Sequence, residues 1–353
     1  MLDALSALVE IESPSSDAAG LARCAAAVCD LFAERLGSRP VPAGSHLRWS
    51  GGGPVAVLVL GHFDTVWPVG TLARRPFAIT DGVASGPGTV DMKAGIVQLA
   101  EALATLEDMT GVEVVLTADE EVGSQTSRSL VEDAARGARG ALVLEPAAPG
   151  GALKTGRKGT GMYTLRVTGR AAHAGNEPEH GANALVAMAE AVVAAAALGR
   201  PALGTTVTPT LASAGIASNV VPPGATAEID VRITVPEEAA RLDAAMRSLT
   251  TTVAGTSLTV DGGLNRPPMP ESASASLFQL AQECAERLGL GPLAGASVGG
   301  GSDGNFTAAA GVPTLDGLGA VGGGMHADDE HVVVSTMAER AALLAELIDD
   351  LRR

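Results

Sequence analysis

The side chains with the most chemical content are acids and histidines in short polar stretches, most of them behind apolar runs. They are His62 and Asp64 in LGHFDTV, Asp91 in GPGTVDMKAG, Glu120 and Glu121 in TADEEVGS, Glu145 in LVLEPA, and His326 in GMHADDEHV. Carboxylates and imidazoles form a mixed hard and borderline donor set, which suits zinc. Two ions held about 3.5–4 Å apart need a ligand that touches both. A carboxylate has two oxygens, so Asp91 is the natural bridge. His62 and Glu145 would complete one ion, and Glu121 and His326 the other. Each ion keeps an open position for a shared water, whose pKa can fall to roughly 7, giving a bridging hydroxide. If the stretch around His62 is extended, Asp64 points the same way and can hold the second imidazole nitrogen. Glu120 and Glu121 divide two jobs. A ligand must stay ionised and bound, whereas a general base takes a proton from the water and passes it on.

The surrounding chain alternates helices with apolar runs of strand length. PVAVLVLG, VEVVLTA and ALVLE read as strands buried on both faces. LARCAAAVCDLFAERLG reads as a helix with Asp17 as N-cap and Gly37 as stop, and MKAGIVQLAEALATL as another. This is an α/β pattern with a mostly parallel sheet flanked by helices. His62, Glu120, Glu121 and Glu145 follow strands, and sites in open α/β sheets form outside the carboxyl ends of strands. Asp91 instead sits in a Gly-rich loop before a helix. From about Gly159 the order becomes β-α-β-β-α-β, that of a ferredoxin-like α+β module. RPPMPES then leads back to a helix and a Gly-rich tail, so the module is inserted. The expected division is 1–158 and 264–353 for the metal-binding domain and 159–263 for the insert, with Gly-rich joints near Gly156 and Gly262–Gly263.

The 353 residues carry a net charge of −16, which argues against nucleic-acid binding through a basic surface; aromatics at 2% argue against modules that stack bases. Cys24, Cys29 and Cys284 lack CxxC spacing and give no disulfide framework. AVVAAAALG is too short to span a bilayer, and MLDALSALVEIES lacks a basic segment followed by an apolar one, so no membrane partner and a cytoplasmic place are expected. His46, His180 and His331 read as surface residues, and Asp328, Asp329 and Glu330 as a solvated loop.

Together GHFDTV, GPGTVDMKAG, DEEVGS, LEPA, TGRAAHAG, GGGSDGNF and GMHADDEHV resemble, in order and over nearly the whole chain, the di-zinc exopeptidases and deacylases. That family includes glutamate carboxypeptidase, aminoacylase, acetylornithine deacetylase and succinyl-diaminopimelate desuccinylase, and the glutamate carboxypeptidase branch is the most similar. The resemblance implies two zinc ions per subunit (cobalt or manganese being alternatives) held by His62, Asp91, Glu121, Glu145 and His326, with Glu120 as general base. It implies a cis peptide at Asp91–Met92. Glu at position 145 goes with carboxypeptidases and deacylases rather than aminopeptidases. The inserted module is similar to the family's lid, through which a homodimer forms. Its His173 would reach the partner's site as an oxyanion donor, and Asn219, Arg232, Gly300 and Gly301 match substrate-holding positions. The implied substrate is a small peptide or an N-acyl amino acid. A non-catalytic binding protein would tolerate loss of the base or a ligand, and none is lost. A phosphoester hydrolase would need a basic cluster near the ligands, and the sequence offers none.

Overall fold

Strands with every residue buried form the middle of a six-stranded sheet in the first unit of the chain. In chain order its strands are β1 (Val41–Ala43), β2 (His46–Ser50), β3 (Val57–His62), β4 (Val112–Thr117) and β5 (Gly140–Val143), with a short last strand at Thr314–Leu315. The computed structural model describes residues 1–353. The sheet order is β1-β2-β4-β3-β5 followed by Thr314–Leu315. β3 runs parallel to β4 and β5, and Thr314–Leu315 runs parallel to β5, while β1 and β2 form an antiparallel edge. β3, β4 and β5 are buried along their length, which is why they read as continuous apolar runs instead of alternating ones.

Successive side chains of a strand face opposite sides. Val57 and Val59 accordingly join one core with residues of α1 (Ala18–Leu36), α2 (Ala94–Ala104) and the helices Glu271–Arg287 and Met337–Arg352. Leu58 and Leu60 join a second core on the other face with Val115, Val131 and Phe306. Helix α1, which follows a short helix at Leu2–Val9, starts where Asp17 accepts a hydrogen bond from the Ala19 amide at 3.1 Å, and stops at Gly37, whose φ of 69° is left-handed. This first unit comprises Met1–Arg157, Met269–Val298 and Ser302–Arg353.

The second unit comprises Lys158–Pro268 and Gly299–Gly301. It contains β6 (Gly159–Thr168), α3 (Ala184–Ala196), β7 (Thr206–Ala214), β8 (Gly224–Ile233), α4 (Glu237–Arg247) and β9 (Ser257–Arg266). Its antiparallel sheet has the order β7-β8-β6-β9. Ala225, Ala227, Ile229, Val231 and Ile233 face inward from β8 and pack on Ala187, Ala191 and Ala195 of α3 and Leu242 and Met246 of α4. Neither expected glycine joint lies between elements. Gly262 and Gly263 are inside β9, where a Cβ on Gly262 would sit 2.2 Å from the Met162 carbonyl oxygen, and Gly156 is inside the buried strand Leu153–Arg157. No helix is long and apolar enough to cross a membrane.

Candidate metal centre

The parallel strands of the first unit deliver the acids and histidines to one end of the sheet. His62 is the last residue of β3, Glu120 and Glu121 open a single turn after β4, and Glu145 lies two residues beyond β5. Asp91 sits in the turn Thr89–Lys93 ahead of α2, and the Asp91–Met92 peptide is cis, as the resemblance implies. His326 comes from the tail with φ 59°.

Asp91 splits its two oxygens between the two histidines. Oδ1 lies 3.3 Å from His62 Nε2 and Oδ2 lies 3.3 Å from His326 Nε2. His62 Nε2 is also 3.7 Å from Glu145 Oε1, and His326 Nε2 is 3.2 Å from Glu121 Oε2. Two ligand atoms at zinc distance in a tetrahedron are about 3.3 Å apart, so these separations, which are hydrogen-bond or ion-pair distances here, also leave the atoms placed to face one ion. The donor set therefore fits a pair of divalent metals. Ligand atoms of His62, Asp91 and Glu121 fall within 4.8 Å of one another, as do those of His62, Glu120 and Glu145. Glu120 is thus beside the ligands, within reach of whatever they hold.

Contacts from Asp64 fix the tautomer of His62. Its Nδ1 is 3.0 Å from the Asp64 carbonyl oxygen and 3.3 Å from Asp64 Oδ1, so the neutral ring carries its proton on Nδ1, which leaves Nε2 as the nitrogen that would ligate an ion. Asp64 is anchored in turn. It accepts from Ser15 Oγ at 2.6 Å and from the backbone amides of Glu120 and Glu121 at 3.3 and 3.2 Å. The paired glutamates and His62 are thereby set by one buried carboxylate.

Without a metal, these groups titrate against each other. Burial raises Asp91, but hydrogen bonds from His326 and His62 outweigh it and hold Asp91 well below the usual carboxylate range. His326 is pushed up to about 10 by its hydrogen bonds to Asp91 and then Glu121. Burial works against a charged His62, yet Asp64 and Asp91 raise it well above an ordinary imidazole. Burial raises Glu121.

Several supporting residues escaped the sequence reading. Arg157 donates to Glu145 Oε2 at 2.9 Å and to Asp316 at 2.6 and 3.0 Å, and Lys154 Nζ is 3.6 Å from the same Glu145 oxygen. The signal was available in LKTGR, where two cations stand in a short strand, because buried cations need acid partners. Two readings are corrected outright. His46 is buried, not at the surface, with contacts to Thr126 Oγ1 and the Ala118 amide at 3.1 Å each. Glu330 is wholly buried instead of solvated, because amides of the Asp91 loop need an acceptor.

The remaining candidates are in the second unit. His173 is exposed, and its Nδ1 accepts from the amides of Gly175 and Asn176 at 3.1 Å, so Nε2 carries the proton and can donate. Asn219 is its neighbour, since the Ala174 amide donates to the Asn219 carbonyl at 2.9 Å. Arg232 lies elsewhere. It is paired with Asp230 at 2.8 Å and reaches the Gly299 carbonyl, beside Gly300 and Gly301, at 3.5 Å. In the register of β7 and β8, Arg232 faces Thr206 while Thr226 faces Ser213, near the turn that holds Asn219. At about 3.3 Å per residue Arg232 lies roughly 20 Å along β8 from Thr226, too far for Arg232 and the turn holding Asn219 to meet on one carboxylate.

Comparison with known proteins adds the following. A family model described as peptidase family M20/M25/M40 matches residues 58–350. Carboxypeptidase G2 of Pseudomonas sp. (strain RS-16) is 31% identical over 377 residues, covering 99% of this chain and 89% of that protein. Succinyl-diaminopimelate desuccinylase of Methylorubrum populi is 30% identical over 322 residues, covering 84% of this chain and 82% of that protein. Among solved structures, a dinuclear metal binding peptidase of Bacillus subtilis has a TM-score of 0.70 at 16% identity, covering 99% of this chain and 97% of that one.

Proposed function

We propose, from the premise that this chain belongs to peptidase family M20/M25/M40 and hydrolyses amide bonds, that it is a di-zinc enzyme cleaving the amide next to a C-terminal amino acid. The observation that carries this reading is the split of the Asp91 carboxylate, one oxygen toward each histidine. His62 and Glu145 would hold one ion, Glu121 and His326 the other, and Asp91 would serve both; cobalt or manganese would suit the same donors. Ions held there would supply Lewis-acid polarisation of the amide carbonyl and lower the pKa of a bound water. Glu120 takes the proton of the attacking water and delivers it to the leaving amine. Asp64 keeps His62 in the ligating tautomer. Arg232 holds the substrate carboxylate through its planar fork, and Gly300 and Gly301 let substrate approach the backbone. His173 and Asn219 act on the site of a second copy, with His173 Nε2 donating to the developing oxyanion. The roughly 20 Å along β8 between Arg232 and Thr226 supports that division between copies. A cytoplasmic location belongs to the same reading.

The desuccinylase relatives favour one alternative, an N-acyl-amino-acid deacylase with the same machinery. Turnover of a C-terminal glutamate dipeptide against N-acetyl and N-succinyl amino acids separates the two. The mechanism itself is tested by Glu120→Ala, which should keep both metal equivalents while turnover falls on the order of 10²–10⁴-fold. Near-normal turnover with full metal would remove Glu120 from the role of base.

A further inference from the structure

We infer that Glu330 is a positioning residue for the metal pair, clamping the Asp91 loop to the His326 loop. Its carboxylate is wholly buried and accepts four hydrogen bonds. Oε1 takes the amides of Val90 and Asp91 at 3.0 and 3.2 Å. Oε2 takes the amide of Gly88 at 2.9 Å and Trp67 Nε1 at 2.7 Å. Glu330 follows His326 by four residues. The strand after it, His331–Val333, pairs in register with Val83–Ser85, just ahead of the Asp91 loop. The carboxylate thus fastens the backbone of one ligand to the chain that carries the other. His326 sits at φ 59°, a strained backbone for a residue other than glycine, and must be held there.

Four donors converge on two oxygens, and only an ionised carboxylate accepts them all. Glutamine presents one oxygen and an NH₂ group, which would face two N–H donors. Partners of metal ligands typically contribute 10–100-fold to metal affinity. The inference rests on the metal reading above, and the experiment separates the two. Zinc titrations against a chromophoric chelator, followed also by Trp67 fluorescence, are run on the full chain and on Glu330→Gln and Glu330→Asp. Melting of the metal-free proteins is recorded alongside. In Glu330→Gln we expect the ion shared by Asp91 and His326 to bind on the order of 10–100-fold more weakly, with an altered Trp67 emission. Glu330→Asp keeps the charge with a shorter reach and should fall between. If Glu330→Gln does not fold, the Asp variant decides, and unchanged affinity there overturns the inference. Affinities within about twofold of the unaltered chain in Glu330→Gln overturn it too. An unaltered chain that binds no zinc would instead refute the metal reading.

Discussion

At the level of single residues, this centre is a problem of buried charge. Four acids, Asp91, Glu120, Glu121 and Glu145, gather around His62 and repel one another, and the protein sets positive charge of its own beside them. Arg157 spans Glu145 and Asp316, and Lys154 stands beside it. Removing one member of a buried pair leaves the other charge without compensation, which costs about 3–5 kcal/mol. Arg157→Met should therefore lower stability of the metal-free protein by about that much in urea denaturation, and adding Asp316→Asn should recover part of it. A loss under about 1 kcal/mol would mean that solvent reaches Asp316 and compensates its charge. The acids and histidines that the structure gathers around Asp91 stood out in the sequence because acids and imidazoles are the usual zinc donors. Arg157 showed only as a cation in a strand-like run with no partner named, and Glu330 not at all, because its importance lies in what it touches. Glu330 stands in ADDEH among exposed acids, and nothing in that string marks which one turns inward.

At the level of elements, the strands were readable because burial on both faces leaves an apolar run, and the site then follows from where parallel strands end. The inserted module was readable from its alternation. Gly262–Gly263, expected as a joint, lie inside β9 instead, because a glycine needed for close backbone approach has the same letter as one in a hinge. Within that module Glu238 supports the first turn of α4. Hydrogen bonds from Arg241 lead, with Thr205 and Arg200 helping, in holding its carboxyl down at about 2 from 4.5. A group lowered on folding stabilises the fold above its unfolded pKa and loses that contribution as pH falls through the folded one. Glu238→Gln should then lower the melting temperature at pH 7. Its gap from the unaltered chain should close between about pH 4.5 and about pH 2 in scanning calorimetry. A gap independent of pH would assign the effect to packing.

At the level of the whole molecule, the second unit carries a surface that a monomer would leave open. β7 is an edge strand with Leu211 64% exposed, and α3 shows Val193 72% and Leu185 51% exposed. An apolar edge of this kind invites pairing with another chain unless something covers it. Under the function proposed above, a second copy would cover this edge and also answer the distance problem, because His173 and Asn219 stand at one end of the module and Arg232 at the other. If one site takes Arg232 from its own chain and His173 from the partner, two crippled chains can repair each other. Glu120→Ala supplies a sound His173, and His173→Ala supplies a sound Glu120. Mixed and reassembled in equal amounts, half of the dimers are hybrids with one intact site of two, so turnover should return to roughly a quarter of the unaltered rate. Val193→Glu with Leu211→Lys should abolish that recovery and shift the protein to a monomer in light scattering, with zinc content retained. If the mixture stays as inactive as its parts while hybrids demonstrably form, His173 does not serve the partner's site.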